Sequence, residues 1–368
     1  MTGTVVVDFG SGWVKAGVAG KDEPGAVFPN VVGVPRVAQA GVGQRDFYVG
    51  DEAAAKRGVL ALGRPVPRGG VEDWEAAARV WGHTVERELR FVPADCRVLV
   101  AESPFASPEE RERTARVLFE ELGVRAAAFV PAPVLALRSA GVRTGVVVDL
   151  GDGVVSVSAV HDGRLLPGTR HAGFGGRDLT GYLSDRLMQA GHSLRTGAEL
   201  EVVRDIRERL CYVAEDLTAE MQKAEAGAVS ASYELPDAQL LPLGSELFDV
   251  PEALFAPDRL GLAEPGLHEL VHQALTVVDA PVRAALAGAV RLGGGLAQMS
   301  GLAPRLAAEA GALTDLLVRV EVLPEPACAS WIGGSQLAAD EDSFADFWVG
   351  RQEWAASGAA ALAGEFTG

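Results

Sequence analysis

Cysteine is nearly missing. Cys96, Cys211 and Cys328 stand far apart in 368 residues, with no C-x-x-C pair. This excludes a disulfide-stapled scaffold and a cysteine zinc site, and it points to a reducing compartment. Lysine is also scarce: only Lys15, Lys21, Lys56 and Lys223 occur among 33 basic residues, the rest being Arg. The basic residues face 50 acidic ones, a formal net charge of −17, so the average field repels phosphate backbones and anionic membranes. Nucleic acid is not an expected partner. No apolar run of about 18 residues is present, so membrane insertion is not expected. Met1-Thr2-Gly3-Thr4 leads directly into Val5-Val6-Val7, without a basic segment and an apolar one, so a signal peptide is not expected and a cytoplasmic location is. Two nucleotide signatures are missing as well. There is no GxxxxGK[ST], and Gly10-Ser11-Gly12 lacks the third glycine of a dinucleotide fingerprint.

What is present is an ordinary globular balance, 48% hydrophobic and 23% charged, in a chain long enough for two domains. One internal similarity stands out. Residues 5–14 read VVVDFGSGWV and residues 146–155 read VVVDLGDGVV. Each is a β-branched run, an Asp at the strand end, a Gly-x-Gly turn and a second β-branched strand, the grammar of a hairpin. A spacing this long excludes a solenoid and predicts two similar domains, each opening with such a hairpin. Two glycine turns of this kind are suited to clasping one anion, because backbone N–H groups approach phosphates closely only where no Cβ intervenes. Asp8 and Asp149 would then hold the waters of a hydrated Mg²⁺. Lys15 would supply a point charge to a phosphate.

Elsewhere the pattern predicts a helix over 71–90 with Trp74 and Trp81 as core aromatics. Ser107-Pro108-Glu109-Glu110 is a capping box that opens a helix reaching about Leu122, with Glu109 to Arg113 as a solvated charged face. A single long helix is expected over 197–225. Gly293-Gly294-Gly295 is expected to follow a helix and let backbone approach a ligand, and 343–361 to form one or two helices carrying Trp348 and Trp354. His268-Glu269-Leu270-Val271-His272 is a literal zinc HExxH, but no His follows His272 to complete a catalytic site. Two His on the exposed face of an ordinary helix are expected there.

Seven ordered strings carry a family resemblance: residues 5–33, 44–60, 144–154, 175–183 (GGRDLTGYL), 201–217 (EVVRDIRERLCYVAEDL), 232–237 (SYELPD) and 330–338 (SWIGGSQLA). With them the chain resembles actin almost end to end, closer to conventional actins and actin-related proteins than to divergent bacterial filament proteins. The resemblance implies an α/β fold of the actin-like ATPase type, shared with sugar kinases and the large heat-shock chaperones. Such a fold has two similar domains, each split into two subdomains, around a cleft holding ATP or ADP with Mg²⁺ or Ca²⁺. The implied subdomains are 1–29, 65–139 and 329–368; 30–64; 140–174 and 264–328; and 175–263. Ser11, Gly12, Trp13 and Lys15 would line the first phosphate turn beside Asp8 and Gly10. Asp152 and Gly153 would line the second beside Asp149 and Gly151. Gly176, Arg204, Arg207, Glu208, Gly294, Gly295 and Met299 would serve the adenosine.

The departures from the family are informative. The Gln that helps place the attacking water aligns with Ala132, and the His following the second turn aligns with Ser156. Positioned groups of this kind are worth roughly 10²–10⁴ in rate, so a slow ATPase is expected. The Lys near the adenine aligns with Ala327, and an aromatic there with Met299. The loop that inserts into the next subunit reads Val37 to Gly43 and is about two residues short. The His next to the following strand is Arg68, and the C-terminus ends Glu365-Phe366-Thr367-Gly368. The resemblance implies self-assembly into filaments and partners of the actin-binding type. The altered surfaces leave a non-polymerising adaptor subunit that binds ATP structurally as the alternative. A kinase would need an acceptor site, and nothing beyond the shared turns suggests one.

Overall fold

The run Val5-Val6-Val7 lies at the centre of a sheet with both faces covered, which is why it is continuous rather than alternating. The computed structural model describes residues 3–36, 45–340 and 344–362. They divide into two units, one of residues 1–144, 158–169 and 323–368, the other of 145–157 and 170–322.

In the first unit β1 (Gly3–Phe9) and β2 (Trp13–Val18) form an antiparallel hairpin, with Asp8 directly opposite Lys15. Beyond β2 lies β3 (Ala26–Pro29). On the other side of β1, β7 (Cys96–Glu102) and β8 (Ala126–Pro131) run parallel to it, and the short strand Val349–Gly350 closes the edge. A separate three-stranded sheet is built from β4 (Val32–Pro35), β5 (Tyr48–Val49) and β6 (Leu60–Gly63), over a small core of Val31, Tyr48, Ala53 and Leu60.

The period-2 alternation assigns the two faces of the large sheet. Val5 and Val7 join Val80, Trp81, Ala115 and Phe119. Val6 faces the opposite way, toward the helices Ala132–Ser139 and Ala329–Ala339. That helix pair approaches closely because Gly333 and Gly334 lie at the contact. A Cβ on Gly333 would be driven into the carbonyl oxygen of Leu135, and one on Gly334 would meet Val6 at 2.8 Å. Trp331, fully buried, donates its indole N–H to the Val6 carbonyl at 3.0 Å and so ties the helix to the central strand.

The helix expected over 71–90 spans Trp74–Gly82 and continues as a π-helical turn, His83–Glu88. Trp81 is buried and stacks on Phe9 at 4.9 Å, whereas Trp74 is half-buried beneath the Arg113 guanidinium. Ser107 and Glu110 cap Pro108–Arg116 reciprocally, and a further turn carries the chain to Leu122, where left-handed Gly123 ends it. The charged face is less solvated than its composition implies. Arg111 pairs with Glu102, a carboxylate only 7% exposed, while Arg116 with Glu112 makes the expected surface pair. The chain end is also less helical than expected: Trp348 precedes the strand Val349–Gly350, and only Trp354 lies on a helix, Arg351–Ser357.

In the second unit β9 (Gly145–Leu150) lies beside β10 (Val155–His161), whose residues from Ser158 onward are counted with the first unit. There β10 meets β11 (Arg164–Leu165). Within the second unit, β12 (Arg170–Ala172) runs antiparallel to Val155–Val157. A two-stranded ribbon joins β13 (Ala231–Glu234) to β14 (Leu240–Leu243). On the far side of β9 follow β15 (Val290–Gly293) and β16 (Val320–Val322), both parallel to it. Gly293–Gly295 therefore follows a strand, not a helix.

The expected long helix is two. Gly197–Leu210 ends where Cys211 turns extended, and Asp216 caps Leu217–Glu225 by accepting the Ala219 N–H at 3.0 Å. Val213 and Ala214, each 2% exposed, need the core more than the helix, which overrides the periodicity. Cys96 and Cys211 are buried as small apolar groups, and burial pushes both thiols up to about 12.

The glycine contact between the two helices gives a stability test. Gly333→Ala should lower the urea midpoint by an amount equivalent to about 1–3 kcal/mol or prevent folding. Gly58→Ala, where an added Cβ meets nothing within 4 Å, should leave it within about 0.5 kcal/mol.

Candidate functional site

The two glycine turns are built alike. In the first, Gly10 donates its N–H to the Trp13 carbonyl at 3.1 Å; in the second, Gly151 donates to the Val154 carbonyl at 3.1 Å. A Cβ on Gly10 would lie 3.0 Å from the Trp13 oxygen and one on Gly151 2.9 Å from the Val154 oxygen, so both turns depend on glycine at the same step. Each follows its Asp by two residues.

The first turn is braced from beneath. Asn30 is fully buried; its backbone N–H donates to the Gly12 carbonyl at 2.9 Å and its side-chain amide to the Gly10 carbonyl at 2.8 Å. These two bonds take up the Gly10 and Gly12 carbonyls and fix the path of the turn. Ser11 is 7% exposed, and Trp13 lies opposite Pro29 in the ladder. Lys15 donates to Asp8 Oδ2 at 2.9 Å, with both side chains 18% exposed. The pair places a cation and a carboxylate together at the strand end, a donor set suited to phosphate and to a hydrated metal. Among the described residues no group of three or more His, Cys, Asp or Glu converges as a metal cage.

The second turn is held by the helix that follows it. Gly176 N–H donates to the Gly151 carbonyl at 3.0 Å and Arg177 N–H to the Asp152 carbonyl at 3.0 Å, so the turn satisfies two of the helix's orphan donors. Gly175 makes this possible, since a Cβ there would sit 2.7 Å from both carbonyl oxygens. Asp178 closes the cap from the Gly175 N–H at 2.8 Å. The Arg177 guanidinium grips Asp152 Oδ2 at 2.7 and 3.0 Å, fixing that side chain.

Arg207 anchors the adenosine-side candidates. It is 4% exposed and donates to the Gly176 carbonyl at 2.6 Å and to Glu208 at 2.7 Å. Burial holds its guanidinium below its ordinary pKa against the opposing pull of Glu208 and Asp152, and it stays charged at neutral pH. A Cβ on Gly176 would meet Arg207 Nη1 at 2.6 Å, so the guanidinium would have to shift to make room for one. Arg204 pairs with Glu201 at 2.6 Å and lies 3.9 Å from Glu208, both partners being half exposed. Gly294, at φ +84°, abuts the Leu150 carbonyl so closely that no Cβ fits. Gly295 beside it is open. Met299 sits in the same loop, which is tied at its end to the break between the two helices: Val213 N–H donates to the Ser300 carbonyl at 2.8 Å. Within the second unit the structure thus brings Gly151, Asp152, Gly176, Arg207 and Glu208 together, with Gly294 joined to the same strand end through Leu150. Asp149 lies in that strand, opposite Gly293.

Ala132 and Ser156 present little reach. Ala132 opens its helix, and its carbonyl accepts from the Ser330 hydroxyl at 3.2 Å. Ser156, 3% exposed, lies in β10 opposite His171. The HExxH helix, Leu267–Thr276, corrects the expectation of two exposed His: both are half-buried, His268 stacks on Phe255 at 5.8 Å, and among the described residues no third ligand joins them. Val37 to Gly43 and the C-terminal Glu365-Phe366-Thr367-Gly368 lie outside the described residues.

Sequence reading missed Asn30, Gly175, Arg177 and Asp178. All four lie inside conspicuous strings, FPNVVG and GGRDL; Asp178 caps the Gly175 N–H three residues back, a local signal, whereas Asn30, Gly175 and Arg177 meet partners 20 or more residues away, which no spacing displays.

The chain matches the family described as Actin over residues 1–366 of its 368, and it belongs to the actin family. It is accordingly an actin-like, nucleotide-binding α/β protein, of a family that generally binds ATP or ADP with a divalent cation and commonly self-assembles. Among the described residues no helix is long and apolar enough to cross a membrane.

Asn30→Ala would strip the first turn of a buried bond and leave the Gly10 carbonyl unsatisfied, a loss of about 1–3 kcal/mol. A titration with a fluorescent ATP analogue should show affinity weakened roughly tenfold or more, with the second unit's fold intact by circular dichroism.

Proposed function

We propose that the chain binds ATP with Mg²⁺ or Ca²⁺, assembles with copies of itself in a nucleotide-dependent manner, and hydrolyses the nucleotide weakly. The single observation that carries this is the pair of identically closed glycine turns, each behind an Asp, in a chain of the actin family. When bound, the nucleotide and its cation supply the phosphoanhydride bond and the charge that neutralises it. The protein's part is to hold them. Gly10 and Gly151 close the two turns; Ser11, Gly12 and Trp13 would offer backbone donors from the first and Asp152 and Gly153 from the second, with Lys15 as a point charge. Asp8 and Asp149 would orient metal-bound water, and Gly176, Arg204, Arg207, Glu208, Gly294, Gly295 and Met299 would receive the adenosine. The four subdomains would follow the boundaries expected from the family.

Weak hydrolysis rests on what stands at two positions. A methyl at Ala132 and a short, buried hydroxyl at Ser156 do not reach out to orient water as an amide or imidazole would. Restoring them tests this. Ala132→Gln with Ser156→His should raise single-turnover phosphate release at least about tenfold with nucleotide affinity unchanged. An unchanged rate in a folded, nucleotide-bound double variant would remove these positions as the cause.

The second reading, a non-polymerising subunit of a larger complex, is favoured by the charge of −17, since like subunits repel at low salt. Pelleting with ATP and Mg²⁺ against a nucleotide-free control separates the two. Assembly should depend on nucleotide and strengthen between about 10 and 150 mM salt as the screening length shortens. Protein that stays monomeric at high concentration under all these conditions selects the adaptor.

A further inference from the structure

A second concave site lies wholly within the first unit, on its surface beside the edge strand Val349–Gly350. It is a cavity of about 1000 Å³ whose rim carries Arg97, Arg125 and Arg351, with Trp348 and Gln352 between them. In a chain with 50 acidic residues, no Asp or Glu among the described residues lines it. Most arginines of this protein are consumed in pairs such as Arg111 with Glu102 or Arg305 with Glu252. Arg125 and Arg351 are different: both are exposed, and among the described residues neither has a carboxylate within ion-pair distance. Two like charges held side by side without counter-charge cost free energy in the isolated protein, and an anionic partner would recover it.

The arrangement is built rather than incidental. Arg351 donates its backbone N–H to the Arg125 carbonyl at 3.1 Å, which locks the two residues to neighbouring backbone. Gly123, at φ +75°, leaves room for the Arg351 guanidinium, which would lie 3.5 Å from a Cβ there. Arg97 is fixed at both ends of its head group, its Nε donating to Thr4 Oγ1 at 3.1 Å and its guanidinium lying 5.1 Å over the Trp348 ring. Arg97 is thus ordered against the indole, while Arg125 and Arg351 are anchored through their backbones and bring exposed guanidiniums that can fork onto carboxylates.

The geometry points to a docking site for an acidic peptide segment of a partner protein, one that alternates carboxylates with apolar side chains. The three cations come from three separate elements, and the floor between them is Trp348 with small alanines such as Ala126 and Ala355. A free phosphate would fill only a corner of such a volume and leave the indole uncovered, whereas a peptide covers charge and floor together. This site is independent of the nucleotide turns.

The test uses the full chain with ATP bound and a fluorescein-labelled hexapeptide, Glu-Phe-Glu-Glu-Leu-Glu, followed by anisotropy. Saturable binding is expected, weakening with salt, and the same peptide with Gln in place of Glu should bind at least about tenfold more weakly. Arg125→Glu with Arg351→Glu, both on exposed side chains, should lose at least about tenfold in peptide affinity while the ATP affinity and melting temperature stay unchanged. Equal affinity in wild type and double variant, or no saturable binding, would overturn the proposal. Tripolyphosphate that displaces the peptide with equal or higher affinity would overturn the peptide as occupant and assign the site to a small polyanion.

Discussion

The constraint on which the site depends is the absence of a Cβ at the step where each strand-end turn closes. Gly10 and Gly151 each donate to the carbonyl three residues on, and each would crowd that same oxygen if it carried a side chain. Closing the turn this way bends the chain back on itself within two residues of an Asp, so carboxylate and backbone donors end up side by side. The rest of the local structure props this up by different means in the two copies. Asn30 fastens the first turn through two carbonyls, whereas the second is fastened by the first N–H groups of a helix that reaches it only because Gly175 is also bare. The repeat therefore conserves the loop and not its supports.

That difference accounts for what was legible in the sequence. The turns, the buried β-branched runs and the Ser107–Glu110 cap are local, set by residues within a few positions of one another, and their patterns were readable directly. The actin-like α/β fold was readable from the long strings. What failed was non-local. The helix expected over 197–225 breaks at Cys211 because Val213 and Ala214 are needed in the core and because Val213 bonds Ser300, a residue nearly ninety positions away along the chain. The glycine triplet follows a strand because Val290–Gly293 pairs with Val146–Asp149, a contact no window around the triplet contains. Arg111 looked solvated because its partner Glu102 lies on a strand, outside its own helix.

Charge distribution follows the same logic of local answers to a global balance. An excess of carboxylates would exclude phosphate if charge acted only as an average. At short range the decisive quantities are where the cations stand and which dipoles are aligned. Lys15 sits against Asp8, and Arg207 is buried beneath the second turn, so positive charge is concentrated where the backbone donors are. Few lysines are needed for this, because Arg serves wherever the charge is buried or forked against a carboxylate, and a Lys stands at the one strand-end position where a flexible point charge is suited.

On the proposed function, binding and hydrolysis would rest on separable groups. The turns would hold a ligand through main-chain groups, whose chemistry does not change with the side chains around them, and are closed at Gly10 and Gly151, where a Cβ is crowded. Orientation of water would depend on side chains at the start of one helix and within one strand. Such positions accept Ala132 and Ser156 without strain: Ala132 still offers its carbonyl to Ser330, and Ser156 stays buried in an intact ladder. A chain can therefore lose the water-orienting groups while keeping every feature that closes the turns. On that reading the nucleotide's role as a structural ligand would be the more deeply built of the two, since removing it as a ligand would require rebuilding backbone, whereas slowing its hydrolysis would require only two side chains.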